Sequence, residues 1–271
     1  MDGKLLLVGG GKMGGAMLAG WLARGISPGQ VVIVEPDGDR AAELAASHGT
    51  AVVGAADALD EGLAPTVVVI AVKPQVMDDV VAGYRRFAAP SCVFLSIAAG
   101  TTIGYFERQL GADAAIVRSM PNTPAAVGRA MTVGCPNARV TNAQRALCDD
   151  LLSAIGQVAW VDDEVLMDAV TGVSGSGPAY VFLLAETLAK AGEVAGLPAE
   201  LAARLARATV AGAGELLHHA PEAASTLREN VTSPGGTTAE ALKVLMGEDG
   251  WQETVTRAVG AATERSKELS G

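Results

Sequence analysis

Near its start the chain places three glycines where few folds can use them. Leu5-Leu6-Leu7-Val8 is an unbroken apolar run, and Gly9-Gly10-Gly11-Lys12-Met13-Gly14 follows it directly. A helical pattern over residues 13–24 comes next and stops at Gly25. Gly9, Gly11 and Gly14 therefore satisfy G-x-G-x-x-G between a strand and a helix. Missing side chains let the backbone turn tightly and approach a pyrophosphate, whose charge faces the helix N-terminus. In that context the motif predicts a dinucleotide site that uses Gly9, Gly10, Gly11, Lys12, Met13 and Gly14. A tight turn in a glycine-rich chain is the bland alternative.

The rest of the first half repeats the strand–helix alternation. Apolar runs over residues 31–35, 67–72 and 92–97 are rich in β-branched residues and bounded by turn chemistry. Helical stretches at 40–47 and 77–86 lie between them. Weaker strand patterns follow at 114–118, 131–134 and 158–161, with a helix over 142–155. Continuous apolar strands alternating with helices imply a mainly parallel sheet covered on both faces. The texture changes near Asp162. Beyond it run Ala- and Leu-rich helical stretches at 178–195, 198–219, 240–246 and 251–269. The expected organisation is an α/β N-terminal domain over residues 1–162 and an all-α domain over 163–271.

Composition bounds the class. The chain carries 20 basic and 30 acidic residues, a net charge of −10, which argues against nucleic-acid or anionic-membrane partners. The longest strictly apolar run, residues 67–72, is too short to span a bilayer, and the opening residues do not form a secretory signal. Cys92, Cys135 and Cys148 are widely spaced, and His48 lies far from His218 and His219 in the sequence. No metal site is expected, and a reducing cytoplasm is the expected compartment.

Further loops fall at the carboxyl edge where open α/β sheets bind ligands. Glu35 ends the second strand about twenty residues past Gly14, where an acid can accept from an adenosine ribose and repel a 2′-phosphate. It favours NADH, while nearby Arg40 could answer the phosphate of NADPH. Ala71, Val72, Lys73 and Pro74 leave the next strand, with Lys73 able to reach a ribose hydroxyl or phosphate, or to stand solvated. Ala98 and Ala99 follow the strand after that, and their small side chains leave room for a nicotinamide. Asn122 and Thr123 sit in a third loop between Pro121 and Pro124. In the helical half, Gly172-Val173-Ser174-Gly175-Ser176-Gly177-Pro178 is expected to open a long helix with free N–H groups. Ser233-Pro234-Gly235-Gly236-Thr237-Thr238-Ala239-Glu240 opens another. Thr237 and Glu240 have capping-box spacing, which makes Thr237 a cap and Thr238 a first-turn residue. The preceding glycines expose successive N–H groups suited to a small carboxylate, with the Thr238 hydroxyl beside them.

Read in order, GGGKMG, AVKPQ, SIAAGTTI, RSMPNTPAAVGRAM, DAVTGVSGSGPAYVF and ENVTSPGGTTAEAL make the chain resemble the pyrroline-5-carboxylate reductases essentially end to end. The resemblance implies a Rossmann domain followed by a helical dimerisation domain, with dimers often assembling into decamers. It also implies reduction of the cyclic imine 1-pyrroline-5-carboxylate to L-proline by hydride transfer from NADPH or NADH. Thr238 would then donate to the ring nitrogen, and the amides of Gly236, Thr237 and Thr238 would hold the carboxylate. Ser176 and Ser233 would line the pocket, Glu164 would meet the substrate amine, and Asn230 the cofactor. The chain departs from the family at His219-Ala220-Pro221-Glu222, where a Glu-His-Pro stretch is frequent, so no role is carried to Glu222.

Two rivals use the same architecture. A β-hydroxyacid dehydrogenase needs a lysine four residues after the last glycine of Gly172, Gly175 and Gly177, and Val181 stands there. A non-catalytic dinucleotide sensor would share the fold but would have no use for the Ser233–Thr238 segment.

Overall fold

The computed structural model describes residues 3–270. Its chain divides into two compact units, residues 176–261 and all the rest.

The first unit is built on eight strands: β1 (Lys4–Val8), β2 (Val31–Val34), β3 (Ala51–Val53), β4 (Pro65–Ile70), β5 (Val93–Ser96), β6 (Ala115–Met120), β7 (Ala130–Pro136) and β8 (Gly156–Trp160). They form one sheet in the order β3-β2-β1-β4-β5-β6-β7-β8. Every pairing is parallel except β6 with β7. This is the mainly parallel Rossmann sheet that the strand–helix alternation implies.

Side-chain alternation explains why these strands read as unbroken apolar runs. Leu5 and Leu7 of β1 share a core with Val67 and Val69 of β4, whereas Leu6 and Val8 pack on the opposite face with Val68 and Ile70. Strands β1 and β4 are thus buried on both sides. Helices α1 (Lys12–Ala23) and α2 (Gly38–His48) cover the first face, through Met17, Leu18, Trp21 and Leu44. On the other face a single turn, α3 (Met77–Val80), runs into a 3₁₀ segment at Val81–Phe87. One continuous helix is expected over 77–86, but Val81, Tyr84 and Phe87 are all buried at a spacing of three, which a 3₁₀ turn stacks on one side. Helix α4 (Ile103–Leu110), capped by Thr102, joins them through Ile103, Phe106 and Leu110. Helix α5 (Asn142–Ser153) returns to the first face, and its Leu151 carbonyl accepts from Trp21 Nε1 at 2.9 Å.

The first unit runs past the boundary expected at residue 162, as far as Gly175, before the second unit begins. Residues 163–175 belong to the first unit, because α6 (Leu166–Val170) buries Met167 in the same core as Phe106. A π turn over Thr171–Gly175 continues α6, so the Gly172–Pro178 stretch does not begin a helix with free amides as expected. The chain is already helical when it reaches α7 (Gly177–Val194).

The second unit is helical throughout. It holds α7, α8 (Ala199–His219), α9 (Ala224–Asn230), α10 (Thr237–Leu245) and the first part of α11 (Trp251–Ser270). Helices α7 and α8 approach closely: a Cβ on Gly192 would lie 3.2 Å from that of Ala202. No residue of α7, α9 or α10 is buried, and α8 buries only Ala202 and Ala206. The last turns of α11 belong to the first unit, where Ser266 Oγ donates to Asp168 Oδ1 at 2.7 Å. Among the described residues no helix is long and apolar enough to cross a membrane.

Candidate functional site

In the first unit the strand order reverses between β1 and β4, which places a crevice outside their carboxyl ends. The glycine loop sits there. Gly9 has φ +98°, a conformation L side chains rarely adopt, and a Cβ on it would lie 2.8 Å from the Ala71 carbonyl oxygen. A Cβ on Gly14 would run into the Gly9 carbonyl, and one on Gly10 into Leu44. Around Gly11, by contrast, an added Cβ meets nothing. Gly11 is the N-cap of α1, no side chain caps that helix, and its first turn has no acidic residue. The loop is therefore closed by backbone packing on one side and open at a positive helix end on the other. That arrangement fits a dinucleotide pyrophosphate.

Glu35 is joined to this loop. It is buried, its Oε2 accepts from Gly10 N at 2.7 Å, and its Oε1 accepts from Asp37 N at 3.0 Å. An ionised carboxylate has further lone pairs for a ribose hydroxyl. Arg40 lies beside it, with Nε donating to the Gly10 carbonyl at 2.8 Å and Nη1 pairing with Glu43 at 2.6 Å. Ala71 and Val72 are half-buried beyond β4, and Lys73 and Pro74 are exposed there. Ala98 is buried, its N–H donating to Ser96 Oγ at 3.2 Å, and Ala99 is exposed. Asn122 Nδ2 donates to the Ser174 carbonyl at 3.2 Å while its Oδ1 accepts from Met131 N at 3.0 Å, which ties the proline-flanked loop to the π turn.

Glu164 is engaged within the first unit. Its Oε1 accepts from Arg118 Nη1 and from Ile103 N, each at 2.8 Å, so a protein cation and a helix amide share one carboxylate oxygen. Sequence reasoning passed over Arg118. The available clue was an arginine directly after the apolar run Ala114–Val117. Beside this pair, the Cys135 thiol is pushed up to about 11, first by burial and then by the charge of Glu164. Burial likewise lifts Cys92 and Cys148 to about 12, so none of the three offers a thiolate near neutral pH.

In the second unit, Ser233–Gly236 form a turn in which Gly236 N donates to the Ser233 carbonyl at 3.0 Å. Pro234 supplies its second position, and Gly235, at φ +70°, its third, the pattern of a type II turn. The Gly236 amide thus already has a partner within the turn. Against the capping-box expectation, Gly236 and not Thr237 is the N-cap of α10; glycine has no side chain to cap with, and Glu240 pairs with Lys243 at 2.7 Å. Thr238 is half-buried in the first helical turn, whereas Ser233 and Thr237 are exposed. Asn230 ends α9 and is exposed, and Ser176 precedes α7 as its N-cap.

Residues 164–269 match the family model described as pyrroline-5-carboxylate reductase dimerisation, and residues 4–100 match that described as NADP oxidoreductase, coenzyme F420-dependent. Over 268 residues the chain is 38% identical to the pyrroline-5-carboxylate reductase of Pseudomonas aeruginosa, an alignment covering 98% of this chain and 97% of that one. It belongs to the pyrroline-5-carboxylate reductase family. The family member from Escherichia coli K12 is 37% identical over 272 residues, covering 100% and 99% of the two chains. Among solved structures, the family member from Coxiella burnetii superposes with a TM-score of 0.93 at 33% identity, covering all of both chains. The Plasmodium falciparum enzyme, solved with NADP bound, gives 0.82 at 30% identity, covering 100% of this chain and 99% of that one.

Proposed function

We propose that this chain is the reductase that converts 1-pyrroline-5-carboxylate to L-proline, the last step of proline biosynthesis. The observation that carries this reading is the full-length identity to pyrroline-5-carboxylate reductases, with the Ser233–Glu240 segment intact at the start of α10. NADPH or NADH, when bound, supplies the hydride that reduces the ring C=N bond. Residues 9–14 would hold its pyrophosphate, Glu35 its adenosine ribose, Ala71, Val72, Lys73 and Pro74 its middle, and Ala98 and Ala99 its nicotinamide half. Asn230 is a further cofactor contact on the family pattern.

On the substrate side, the Thr237 and Thr238 amides would take the carboxylate at the positive end of α10. The Thr238 hydroxyl would donate to the ring nitrogen, with Ser176 and Ser233 beside it. A protonated imine is already electrophilic and its nitrogen has no lone pair. The hydroxyl would therefore donate to the pair that develops on nitrogen as hydride reaches the ring carbon, and orientation with that one bond serves in place of a separate acid. The family's dimerisation region supports a homo-oligomer. A dimer is the proposed minimum, a decamer the proposed larger assembly, and the cytoplasm the proposed compartment.

The test is oxidation of NADH and of NADPH with pyrroline-5-carboxylate, side by side, in the wild type and in Glu35→Ser. Proline formation is expected. If Glu35 holds the ribose diol, the variant loses NADH preferentially and keeps or improves NADPH. Unchanged kinetics with both would remove Glu35 from the site, and a strong wild-type preference for NADPH would shift the assignment to Arg40. Absence of turnover with either nucleotide would overturn the function.

A further inference from the structure

Arg118 is the only basic residue in the buried set among the described residues, with 3% exposure in the middle of β6. Holding a guanidinium there for stability alone is poor economy, since an apolar side chain of similar volume does as well or better than a buried ion pair. What the pair holds is more informative. Glu164 Oε1 receives Arg118 Nη1 and Ile103 N together, both at 2.8 Å, and Ile103 is the first residue of α4. The carboxylate therefore sits at the positive end of a helix whose other cap is Thr102, with Tyr105 N donating to Thr102 Oγ1 at 3.2 Å. Between β5 and that helix lies the loop Ile97-Ala98-Ala99-Gly100-Thr101-Thr102. It is too poor in long side chains to fix itself, and Gly100 has φ +73°. Its start is pinned by Ile97 N to the Ile70 carbonyl at 3.1 Å and, through Ser96, by Ser119 Oγ at 2.8 Å. Its end is pinned by Glu164.

We infer that Arg118 and Glu164 are positioning residues for the nicotinamide half of the cofactor, acting through the Ala98–Ala99 loop that their ion pair anchors at α4. Glu164 then serves the reaction through the loop and not as a ligand of the substrate amine. The inference rests on the reading above that a dinucleotide binds at residues 9–14.

The experiment compares Arg118→Met, Glu164→Leu, the double variant and Glu164→Gln. Each is assayed for kcat, for the KM of both substrates and for melting temperature. Calorimetry measures binding of the whole reduced dinucleotide and of the matching ADP-ribose fragment, which lacks nicotinamide. Each apolar single variant should lose on the order of 10²-fold in kcat, as small misplacements of a reacting group do. Each should bind the whole dinucleotide more weakly and the fragment as well as wild type does. The double variant has no unpaired buried charge, so its melting temperature should recover while kcat stays low. Glu164→Gln, which still accepts from Ile103 N, should regain part of kcat. Recovery of kcat in the double variant together with its stability would overturn the inference, as would equal weakening of fragment and dinucleotide. A rise confined to the KM for pyrroline-5-carboxylate would also overturn it. If single variants fail to fold, the double and Glu164→Gln decide. The binding comparison needs no substrate, so a wild type without reductase activity would defeat the proposed reaction while leaving this inference to its own data.

Discussion

At the scale of single residues, the Thr238 hydroxyl is proposed to do work that no helix end requires. Thr238 is the second residue of α10, and that helix already has Gly236 as its cap. Alanine is the better helix former, so a purely structural Thr238 predicts that Thr238→Ala folds and turns over normally. The carboxylate-bearing carbon of the substrate adjoins its ring nitrogen, so one helix end can address both groups. Loss of a donor that strengthens in the transition state should cost about 10²-fold in kcat, about 3 kcal/mol. Steady-state kinetics of Thr238→Ala should show that loss with dinucleotide binding unchanged. Near-normal kcat in a folded variant would end the assignment. The same residue shows where local spacing misleads. Thr237 and Glu240 have the right separation for a capping box, but Glu240 pairs with Lys243, and the type II turn fixes the helix start one residue earlier.

At the scale of elements, the glycine loop and the central strands were legible because their constraints are local. A run buried on both faces is apolar at every position, Gly14 is fixed by the Gly9 carbonyl within the motif, and Gly9 by its own φ of +98° as well as by Ala71. Two substitutions separate packing from binding there. Gly14→Ala pushes a methyl into the Gly9 carbonyl, where backbone meets backbone, and overpacking of this kind costs about 1–3 kcal/mol. Its melting temperature and its dinucleotide affinity should both fall. Gly11→Ala meets open space, so thermal stability should hold while calorimetric affinity drops, if that open side faces the pyrophosphate. Intact affinity in Gly11→Ala would move the ligand elsewhere. Other elements gave no local trace. Strand β3 is three residues long and half-exposed. Strand β7 runs antiparallel to β6, a direction no pattern within seven residues encodes. The π turn depends on packing between Gly175 and Met120, and the Arg118–Glu164 pair joins residues 46 apart. Those are tertiary facts, and only the fold reveals them.

At the scale of the whole molecule, the second unit leaves much apolar surface uncovered within one chain. Its helices carry Val181, Phe182, Leu183, Leu216, Leu217, Val244 and Leu245 with large exposed areas, and no residue of α7 is fully buried. Single exposed apolar residues are ordinary, but an apolar groove of about 900 Å³ between α7 and α8 is not. Val181, Phe182, Ala185, Val210 and Ala211 line it, with Glu186 and Arg207 among them. The region matching the family's dimerisation model contains all of them, which makes a second copy the natural cover. Phe182 is 62% exposed, so Phe182→Glu should fold as one chain while placing a charge in the closed interface. Large buried aromatic anchors at such interfaces contribute about 2–4 kcal/mol, enough to shift assembly at micromolar concentration. Light scattering should show a fall toward monomer mass, with reductase activity falling alongside. Val127→Glu, the same change at a 75% exposed position of the first unit, should leave mass and activity alone. If Phe182→Glu stays assembled and active, the α7–α8 face lies outside the contact between subunits, and the exposed apolar residues of α10 and α11 become the next surface to charge.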